Sequence, residues 1–305
     1  MPARAVHESA GRLSLLICLC CLLITAVASP AAITAKQQLA NLSDGEFRQL
    51  QDRARHGDAG AQVAMGVAYE EGIHVAKDME AAIKWYRLAA LQGDAQVQHH
   101  LAVIYDEGRG VTRDFGAAAL WYRKAAEQGY APAQCNLGTL YREGRGVTRD
   151  LAEAAKWFEV AARQGDAQAE SNIGYMYNYG EGVRQDYGQA VEWYRKAAEQ
   201  GFAIAEKNLG TMYALGEGVE KDEKEALRWF AKAAEQGLAL AWVNEAKLYM
   251  QGSQIPRDYD RAAELLTKAV AAGQVDAKPL LQQADAMLRQ ASGSQEAAAA
   301  KPKPQ

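Results

Sequence analysis

Residues 137–150 read Leu-Gly-Thr-Leu-Tyr-Arg-Glu-Gly-Arg-Gly-Val-Thr-Arg-Asp, and residues 151–165 continue with Leu-Ala-Glu-Ala-Ala-Lys-Trp-Phe-Glu-Val-Ala-Ala-Arg-Gln-Gly. Variants of this stretch follow one another six times along the chain. Its last glycine recurs every 36 residues, at Gly57, Gly93, Gly129, Gly165, Gly201, Gly237 and Gly273. A fixed period in the 30s without insertions is typical of stacked helical repeats rather than of one globular core.

Each repeat predicts two amphipathic helices joined by a turn. In the third repeat, apolar residues spaced by three or four form one stripe on each helix. The stripe of the first helix consists of Ala133, Leu137, Leu140 and Tyr141. The stripe of the second helix consists of Ala154, Trp157, Phe158, Ala161 and Ala162. Bulky aromatic residues alternate with alanine, so neighbouring helices are expected to interlock.

Glycine and aspartate mark the ends of these helices. A glycine opens every turn, where the C-cap of the first helix requires a left-handed backbone: Gly72, Gly108, Gly144, Gly180, Gly216 and Gly252. Six residues later an aspartate stands at the expected N-cap of the second helix, at Asp78, Asp114, Asp150, Asp186, Asp222 and Asp258. Three of these aspartates precede a Glu or Gln at the spacing of a capping box, in the repeats of Glu153, Gln189 and Glu225.

The recurring pattern A-x-x-x-L-G-x-x-Y-x-x-G-x-G-V-x-x-D-x-x-x-A-x-x-W-[YF]-x-x-A-A-x-x-G resembles the Sel-one-like repeat family, which is related to the tetratricopeptide repeats. The match covers residues 58–273 and about a dozen positions in each repeat. The resemblance implies an all-α, right-handed α-solenoid of six 36-residue helix–turn–helix repeats, used for protein–protein contact. It implies no reaction.

The segments outside the repeats are predicted to close the stack. Residues 36–57 are expected to form an N-terminal capping helix that begins with a capping box at Ser43 and Glu46. Residues 274–290 are expected to form a C-terminal capping helix. The composition of residues 291–305, with Gly-Ser-Gln and Ala-Lys-Pro-Lys-Pro, is typical of a disordered tail.

Residues 1–28 have the features of a signal peptide. Two arginines precede an apolar run that is short for a membrane span, and Ala26-Val27-Ala28 forms a cleavage motif. The sequence therefore predicts export to the periplasm or outside the cell, with an uncleaved membrane anchor as the alternative. Three of the four cysteines lie in this segment, and only Cys135 remains after cleavage, so no internal disulfide is expected.

The composition excludes few classes of protein function, but it gives no sign of nucleic-acid binding. The formal net charge is −4, and no basic block is present that would bind a phosphate backbone. His99 and His100 are adjacent and point about 100° apart on a helix without a third ligand, so no metal site is predicted. The Gly-x-Gly turns lack the Lys-Ser/Thr of a phosphate loop. We predict no cofactor and no enzymatic activity.

Within the resembling family, some cysteine-rich bacterial members are linked to β-lactam or cell-wall hydrolysis. These members resemble one another through a cysteine pair in each repeat, which this chain lacks. The best argument for an enzyme is thus missing, and a hydrolase is kept only as the alternative function.

A binding face is predicted on the first helix of each repeat. Positions six, ten and thirteen after each repeat glycine lie opposite the apolar stripe, and the resemblance implies that they line a concave groove. With a neighbouring row of asparagines, these positions give the predicted groove face, namely His99, Val103, Asp106, Asn136, Arg142, Asn172, Tyr175, Asn178, Lys207 and Asn208. Cys135 shares position six, so its thiol is expected to be accessible.

The predicted function is that of an exported scaffold or regulator that binds a protein or peptide partner in the groove. The asparagine row has two interpretations: its amides hold an extended peptide backbone, or they satisfy neighbouring groups of the repeat itself. The convex face is the alternative binding surface. The sequence identifies neither the partner nor the oligomeric state, and it assigns a membrane contact only through a partner or an uncleaved leader.

Overall fold

The structure, a computed structural model, describes residues 36–299. The predicted signal peptide, residues 1–28, lies outside the described residues. The described residues form two compact units, divided between Ala161 and Ala162. In the N-terminal unit, a helical segment at residues 36–40 precedes the helices α1 (Asp44–Arg55), α2 (Ala59–Glu71), α3 (Met79–Ala90), α4 (Ala95–Glu107), α5 (Phe115–Glu127), α6 (Ala131–Glu143) and α7 (Leu151–Ala162), of which α7 ends one residue past the unit boundary.

The C-terminal unit repeats the same alternation of first and second helices. Its helices are α8 (Ala167–Tyr179), α9 (Tyr187–Glu199), α10 (Ala203–Leu215), α11 (Glu223–Glu235), α12 (Ala239–Gln251), α13 (Tyr259–Ala271) and, after a 3-10 turn at Val275–Ala277, α14 (Lys278–Ala299). Residues 36–299 contain no strand. The predicted all-α solenoid class, built from helix–turn–helix repeats, is confirmed.

The predicted N-cap aspartates and turn glycines cap the helices. The capping boxes predicted at Glu153, Gln189 and Glu225 are not formed, because the backbone N–H of each N-cap aspartate donates to a tyrosine carbonyl of the preceding helix, at Tyr141, Tyr177 and Tyr213. Asp186 adopts an extended backbone before α9, and its side chain accepts a hydrogen bond from the Gln189 backbone N–H at 3.0 Å. Gly144 ends α6 in the left-handed region with φ 71°, and its N–H donates to the Leu140 carbonyl. A complete capping box, with both reciprocal bonds, is formed by Ser43 and Glu46 before α1. Local sequence thus sets where each helix begins and ends.

Close helix packing explains the glycine within the first helix. A Cβ atom built on Gly210 of α10 would lie 2.7 Å from the Phe230 ring of α11. The Phe230 side chain is itself buried. Because carbon atoms do not approach to this distance without repulsion, alanine at position 210 would force the two helices apart. A glycine that weakens the helix by ~1 kcal/mol is therefore kept for packing.

The turns link successive repeats. In the N-terminal unit, Gly146 has φ 69°, and a Cβ atom there would lie 2.1 Å from the Phe115 carbonyl oxygen at the start of α5. The turn of one repeat thus sits directly against the second helix of the preceding repeat. In the C-terminal unit, Gln254 takes the same turn position in the last repeat. It exchanges two hydrogen bonds with Glu223, whose side chain is fully buried.

The ends of the chain differ from the sequence prediction in two details. The N-terminal cap is not one helix over residues 36–57, because a turn at residues 41–43 separates residues 36–40 from α1. Phe47, Leu50 and Ala54 of α1 are buried as expected. The last helix continues to Ala299 instead of ending at residue 290, and residues 300–305 lie outside the described residues. Between residues 36 and 299, no helix is both long and apolar enough to cross a membrane.

Candidate functional site

The ten residues of the predicted groove face all lie on first helices and are all half-buried. His99, Val103 and Asp106 belong to α4, whereas Asn136 and Arg142 belong to α6, all within the N-terminal unit. Asn172, Tyr175 and Asn178 belong to α8, and Lys207 and Asn208 to α10, within the C-terminal unit. Each unit therefore carries its own share of the face, partly packed and partly open to solvent.

Position six of the repeat is more buried than predicted. Cys135 is 2% exposed and Ser171 is 4% exposed, so the expected accessibility of the Cys135 thiol is wrong. The reason is that a first helix packs between two second helices, as α4 does between α3 and α5 and as α10 does between α9 and α11. Two neighbours bury a wider arc of the helix than the single apolar stripe indicates.

The N-terminal unit brings several predicted residues together. Asn136 Nδ2 lies 3.1 Å from His99 Nε2, and the His99 ring contacts the rings of Tyr122 and Tyr130 at centroid distances of 5.6 and 5.2 Å. Burial, together with the neighbouring charge of His100, lowers the pKa of His99 to about 4. His99 is therefore neutral at physiological pH, and Asn136 satisfies a group of the repeat itself.

Position thirteen of the repeat is paired with the aromatic residue of the following second helix. The Tyr86 hydroxyl donates to Glu70 at 2.6 Å, and the Tyr122 hydroxyl donates to Asp106 at 3.2 Å. In the C-terminal unit, Tyr194 and Asn178 occupy the corresponding positions. Where the aromatic residue is Phe158, the partner is Arg142, whose guanidinium lies 5.9 Å from the ring centroid. Tyrosine thus accompanies a side chain with an acceptor oxygen.

This pairing could have been found in the sequence. The repeats with tyrosine at 86, 122 and 194 have Glu70, Asp106 and Asn178 sixteen residues earlier, whereas the phenylalanine repeats have Arg142 and Ala214 there. A buried phenol requires a hydrogen-bond partner, and a phenyl ring does not. The hydrogen bond from Tyr122 shows that Asp106 holds the two helices of its repeat together, in addition to any contact it makes with a partner.

A further ionic contact lies beside the predicted face in the N-terminal unit. His100 Nε2 lies 3.4 Å from Glu70 Oε2, and the His100 ring meets the Tyr86 ring edge-on at 4.8 Å. Burial opposes ionisation of Glu70, but the hydrogen bonds and charge of His100, with the Tyr86 hydroxyl, lower the pKa of Glu70 to about 2. The Glu70 carboxylate is therefore fixed in its ionised form.

A buried row of amides crosses the N-terminal unit and was not predicted. Gln62 and Gln98 are each 4% exposed, and each donates to the backbone carbonyl eight residues earlier, at Ala54 and Ala90, over 3.1 and 2.9 Å. Gln134 follows the same pattern. The side-chain oxygen of Gln98 in turn accepts from Gln128 Nε2 at 2.7 Å. Each amide uses both its donor and its acceptor, which satisfies it inside the stack.

Carboxylates occupy the same row in the C-terminal unit. Glu170 and Glu206 are 4% and 3% exposed, and they accept from Gln200 and Gln236 at 2.7 and 2.8 Å. Burial raises the pKa of both carboxyl groups, although these hydrogen bonds act in the opposite direction. An ionised carboxylate has no proton to donate to a backbone carbonyl, so this unit carries a less satisfied version of the amide row.

Two adjoining cavities open on the first helices of the C-terminal unit. The first has a volume of about 190 Å³ and is lined by Thr211, Ala214, Leu215, Phe230, Asn244, Lys247, Leu248 and Gln251. The second has a volume of about 240 Å³ and is lined by Lys247, Met250, Gln251, Tyr259, Leu280, Gln283 and Met287. Lys247 and Gln251 line both cavities, so the two form one groove along α12.

The described residues contain one cysteine and no metal-binding cluster. No group of three or more His, Cys, Asp or Glu side chains in residues 36–299 is arranged to hold a metal ion. The thiol of Cys135, a group that can act as a nucleophile, is buried. What the two units present instead is a series of half-buried polar and aromatic side chains on rigid helices, which suits recognition of another molecule.

Comparison with known proteins identifies the repeat. The Sel1 repeat family matches residues 59–94, 95–130, 131–166, 167–202, 203–238 and 239–274. The chain is 38% identical to a protective antigen of uropathogenic Escherichia coli strains that displays an SLR fold, with a TM-score of 0.71, over 79% of this chain and 51% of the antigen. It thus spans about half of the antigen's length.

A second solved structure is similar over most of both chains. A Sel1 repeat protein from Oxalobacter formigenes is 32% identical, with a TM-score of 0.64, over 77% of this chain and 90% of that protein. No curated protein matches the chain significantly.

Proposed function

The chain belongs to the Sel1 repeat family, and we propose that it is an exported scaffold or regulator that binds a protein or peptide partner through the half-buried face of its first helices. Helical scaffolds of this family generally serve protein interaction. The observation that supports the proposal for this chain is the partial burial of all ten face residues. Half-buried side chains on a rigid helix lose little conformational entropy when a partner covers them.

Arg142 and Tyr175 are the residues we expect to carry most of the affinity. Arginine and tyrosine are enriched at the energetic centres of interfaces because both offer a large flat surface together with hydrogen-bonding groups. Arg142 lies over the Phe158 ring, and Tyr175 lies beside Tyr179 with ring centroids 4.5 Å apart. Both side chains are therefore held in place before a partner arrives.

The test is partner capture by cross-linking in the native compartment. Arg142→Ala and Tyr175→Ala are each expected to weaken capture by about 1–3 kcal/mol of binding free energy while leaving the thermal midpoint nearly unchanged. The matched controls are Glu159→Ala and Arg163→Ala, which change polar residues at the end of a second helix. Loss of capture with the controls and retention with Arg142→Ala and Tyr175→Ala would assign binding to the convex face.

Export is the second part of the proposal, and it depends on residues 1–28. Cell fractionation and N-terminal sequencing of the isolated protein test it. We expect the isolated chain to begin after Ala28 and to reside in the periplasm or outside the cell. A chain that keeps its leader and sediments with membranes would indicate the anchored alternative instead.

No observation among residues 36–299 favours the hydrolase alternative. The cysteine pairs of the hydrolase-linked relatives are missing from the repeats, and Cys135 is buried. We expect the purified chain to show no turnover of a β-lactam reporter or of peptidoglycan fragments. Robust turnover would reverse this choice.

A further inference from the structure

The groove along α12 in the C-terminal unit is lined by a positive charge and by no negative charge. Among the residues that line its two cavities, the single charged side chain is Lys247, and no aspartate or glutamate is present. Three amide side chains, Asn244, Gln251 and Gln283, supply neutral hydrogen-bonding groups. The remaining walls are mostly apolar. A surface of this kind is complementary to a ligand that combines apolar groups with negative charge.

A second lysine lies at the edge of the same groove. Lys207 precedes the cavity-lining Thr211 by one helical turn of α10, and the Thr211 hydroxyl donates to the Lys207 carbonyl at 3.0 Å. Lys207 is half-buried, and burial alone lowers the pKa of its ammonium group. Within the described part of the chain, neither Lys207 nor Lys247 forms an ion pair.

Some other cations of the unit do form ion pairs with carboxylates. Lys221, in the turn before α11, pairs with Glu223 at 2.8 Å, and Lys268 of α13 pairs with Glu264 at 2.7 Å. The half-buried ammonium group of Lys207 is partly desolvated without a counter-charge, which is unfavourable until a ligand supplies a carboxylate. Lys247 is exposed, and it is the one charged side chain that lines both cavities. The groove lysines are thus the cations that an acidic ligand would neutralise.

The size of the cavities points to side chains of a peptide. Volumes of about 190 and 240 Å³ are smaller than the ~300–1,000 Å³ of usual small-molecule pockets. Leu215 and Phe230 lie in the wall of the first cavity, and Met250 and Met287 lie in the wall of the second. Methionine adapts its shape to the group it contacts, so the second cavity suits apolar side chains of differing shape.

We propose that this groove binds an acidic peptide segment of a partner protein, with one apolar side chain in each cavity and a carboxylate at Lys247 between them. A second carboxylate of the segment pairs with Lys207. The chain's own C-terminal residues are excluded as the occupant by charge, because Ala-Lys-Pro-Lys-Pro-Gln is basic. This inference rests on the proposed binding function and specifies the class of partner for one of its surfaces.

The test uses a random peptide library displayed on phage and panned against the purified chain. We expect the enriched peptides to carry Asp or Glu between apolar residues. The binding of such a peptide, measured by fluorescence anisotropy, is expected to fall by roughly tenfold or more with Lys247→Glu and to fall to a smaller extent with Lys207→Glu. A peptide in which Lys replaces its acidic residue should bind Lys247→Glu better than the unmodified chain.

The matched control is Lys224→Glu, which makes the same charge change at an exposed position of α11. It should leave peptide binding unchanged, and thermal unfolding verifies that every variant folds. Peptides without acidic residues, or acidic peptides that bind Lys247→Glu as well as the unmodified chain, would overturn the inference. A failure to enrich any peptide would overturn it as well. None of these results affects the broader proposal, which is decided separately by partner capture with Arg142→Ala and Tyr175→Ala.

Discussion

The two units of the molecule place different groups in the same buried row. In the N-terminal unit the row is built from glutamines, of which Gln98 donates to the Ala90 carbonyl and accepts from Gln128. In the C-terminal unit Glu206 accepts from Gln236 at the corresponding position. An amide satisfies a donor and an acceptor at once, whereas a carboxylate only accepts. The same repeat fold therefore accommodates either amides or carboxylates in this buried row.

Buried titratable groups in the two units respond oppositely to acid. The folded pKa of His99 in the N-terminal unit is about 4, below the ordinary value of 6.5, so acid favours the unfolded chain there. The folded pKa values of Glu170 and Glu206 in the C-terminal unit are raised above the ordinary value of 4.5, so ionisation at higher pH favours the unfolded chain there. At these groups, stability and pH are thus linked with opposite sign.

The largest expected effect comes from replacing a glutamine of the buried amide row by glutamate in the N-terminal unit. Gln98→Glu places a carboxylate where an amide donates to the Ala90 carbonyl over 2.9 Å. We expect a loss of about 2–3 kcal/mol in the free energy of unfolding at neutral pH, because a buried charge replaces a satisfied amide. Urea denaturation measures it, with Gln37→Glu at an exposed position as the control. Equal midpoints for the two variants would contradict a stabilising role of the amide row.

A smaller effect is expected from acid acting on His99. Between pH 6.5 and pH 4 the unfolded chain binds a proton that the folded chain does not, so the N-terminal unit should lose on the order of 2 kcal/mol. Hydrogen exchange of the α4 amides, compared with the α10 amides, resolves the two units. His99→Gln should flatten the pH dependence of α4. If α4 protection is independent of pH in the unmodified chain, His99 does not titrate as a buried group.

Replacing a buried tyrosine by phenylalanine is expected to cost more stability in the N-terminal unit than in the C-terminal unit. Tyr122→Phe removes the donor to the charged Asp106 and is expected to cost about 1.5 kcal/mol. Tyr194→Phe removes a phenol whose counterpart at position thirteen is the neutral Asn178, and it is expected to cost about 1 kcal/mol or less. Denaturation midpoints of the two variants test the order. The double variant Tyr122→Phe with Asp106→Ala should recover part of the loss, since no acceptor is then left without its donor.

The smallest expected effect is a gain in the C-terminal unit. Glu206→Gln introduces a donor toward the Ala198 carbonyl, eight residues earlier, as Gln98 has toward Ala90. We expect a gain of about 0.5–1 kcal/mol at neutral pH, and a vanishing gain once acid protonates the glutamate of the unmodified chain. Thermal unfolding at two pH values measures it, with Glu220→Gln as the exposed control. A loss of stability would show that the carboxylate is better satisfied than the amide.

The candidate site could be predicted only in part. The periodicity identified the first helices, and each of the ten chosen residues lies on one of them. It failed at Cys135, since helical geometry gives the direction of a side chain but not how many neighbouring helices cover it. Lys247 and Met250 of the groove along α12 occupy positions ten and thirteen of the predicted face. The wall that Leu280 and Met287 of α14 add was missed, because no local pattern records the approach of α14 to α12.

The sequence by itself determined the period, the helix ends and the family of this protein. Caps, turn glycines and apolar stripes depend on interactions within one repeat, so a single line of residues contains them. The tertiary structure alone decided which arc of each helix is covered, that buried glutamines and glutamates form a row, and that Lys207 and Lys247 stand without counter-charges at one groove. These properties depend on contacts between residues about 30 or more positions apart in the sequence, whose distances and solvent exposure exist only after the repeats have packed.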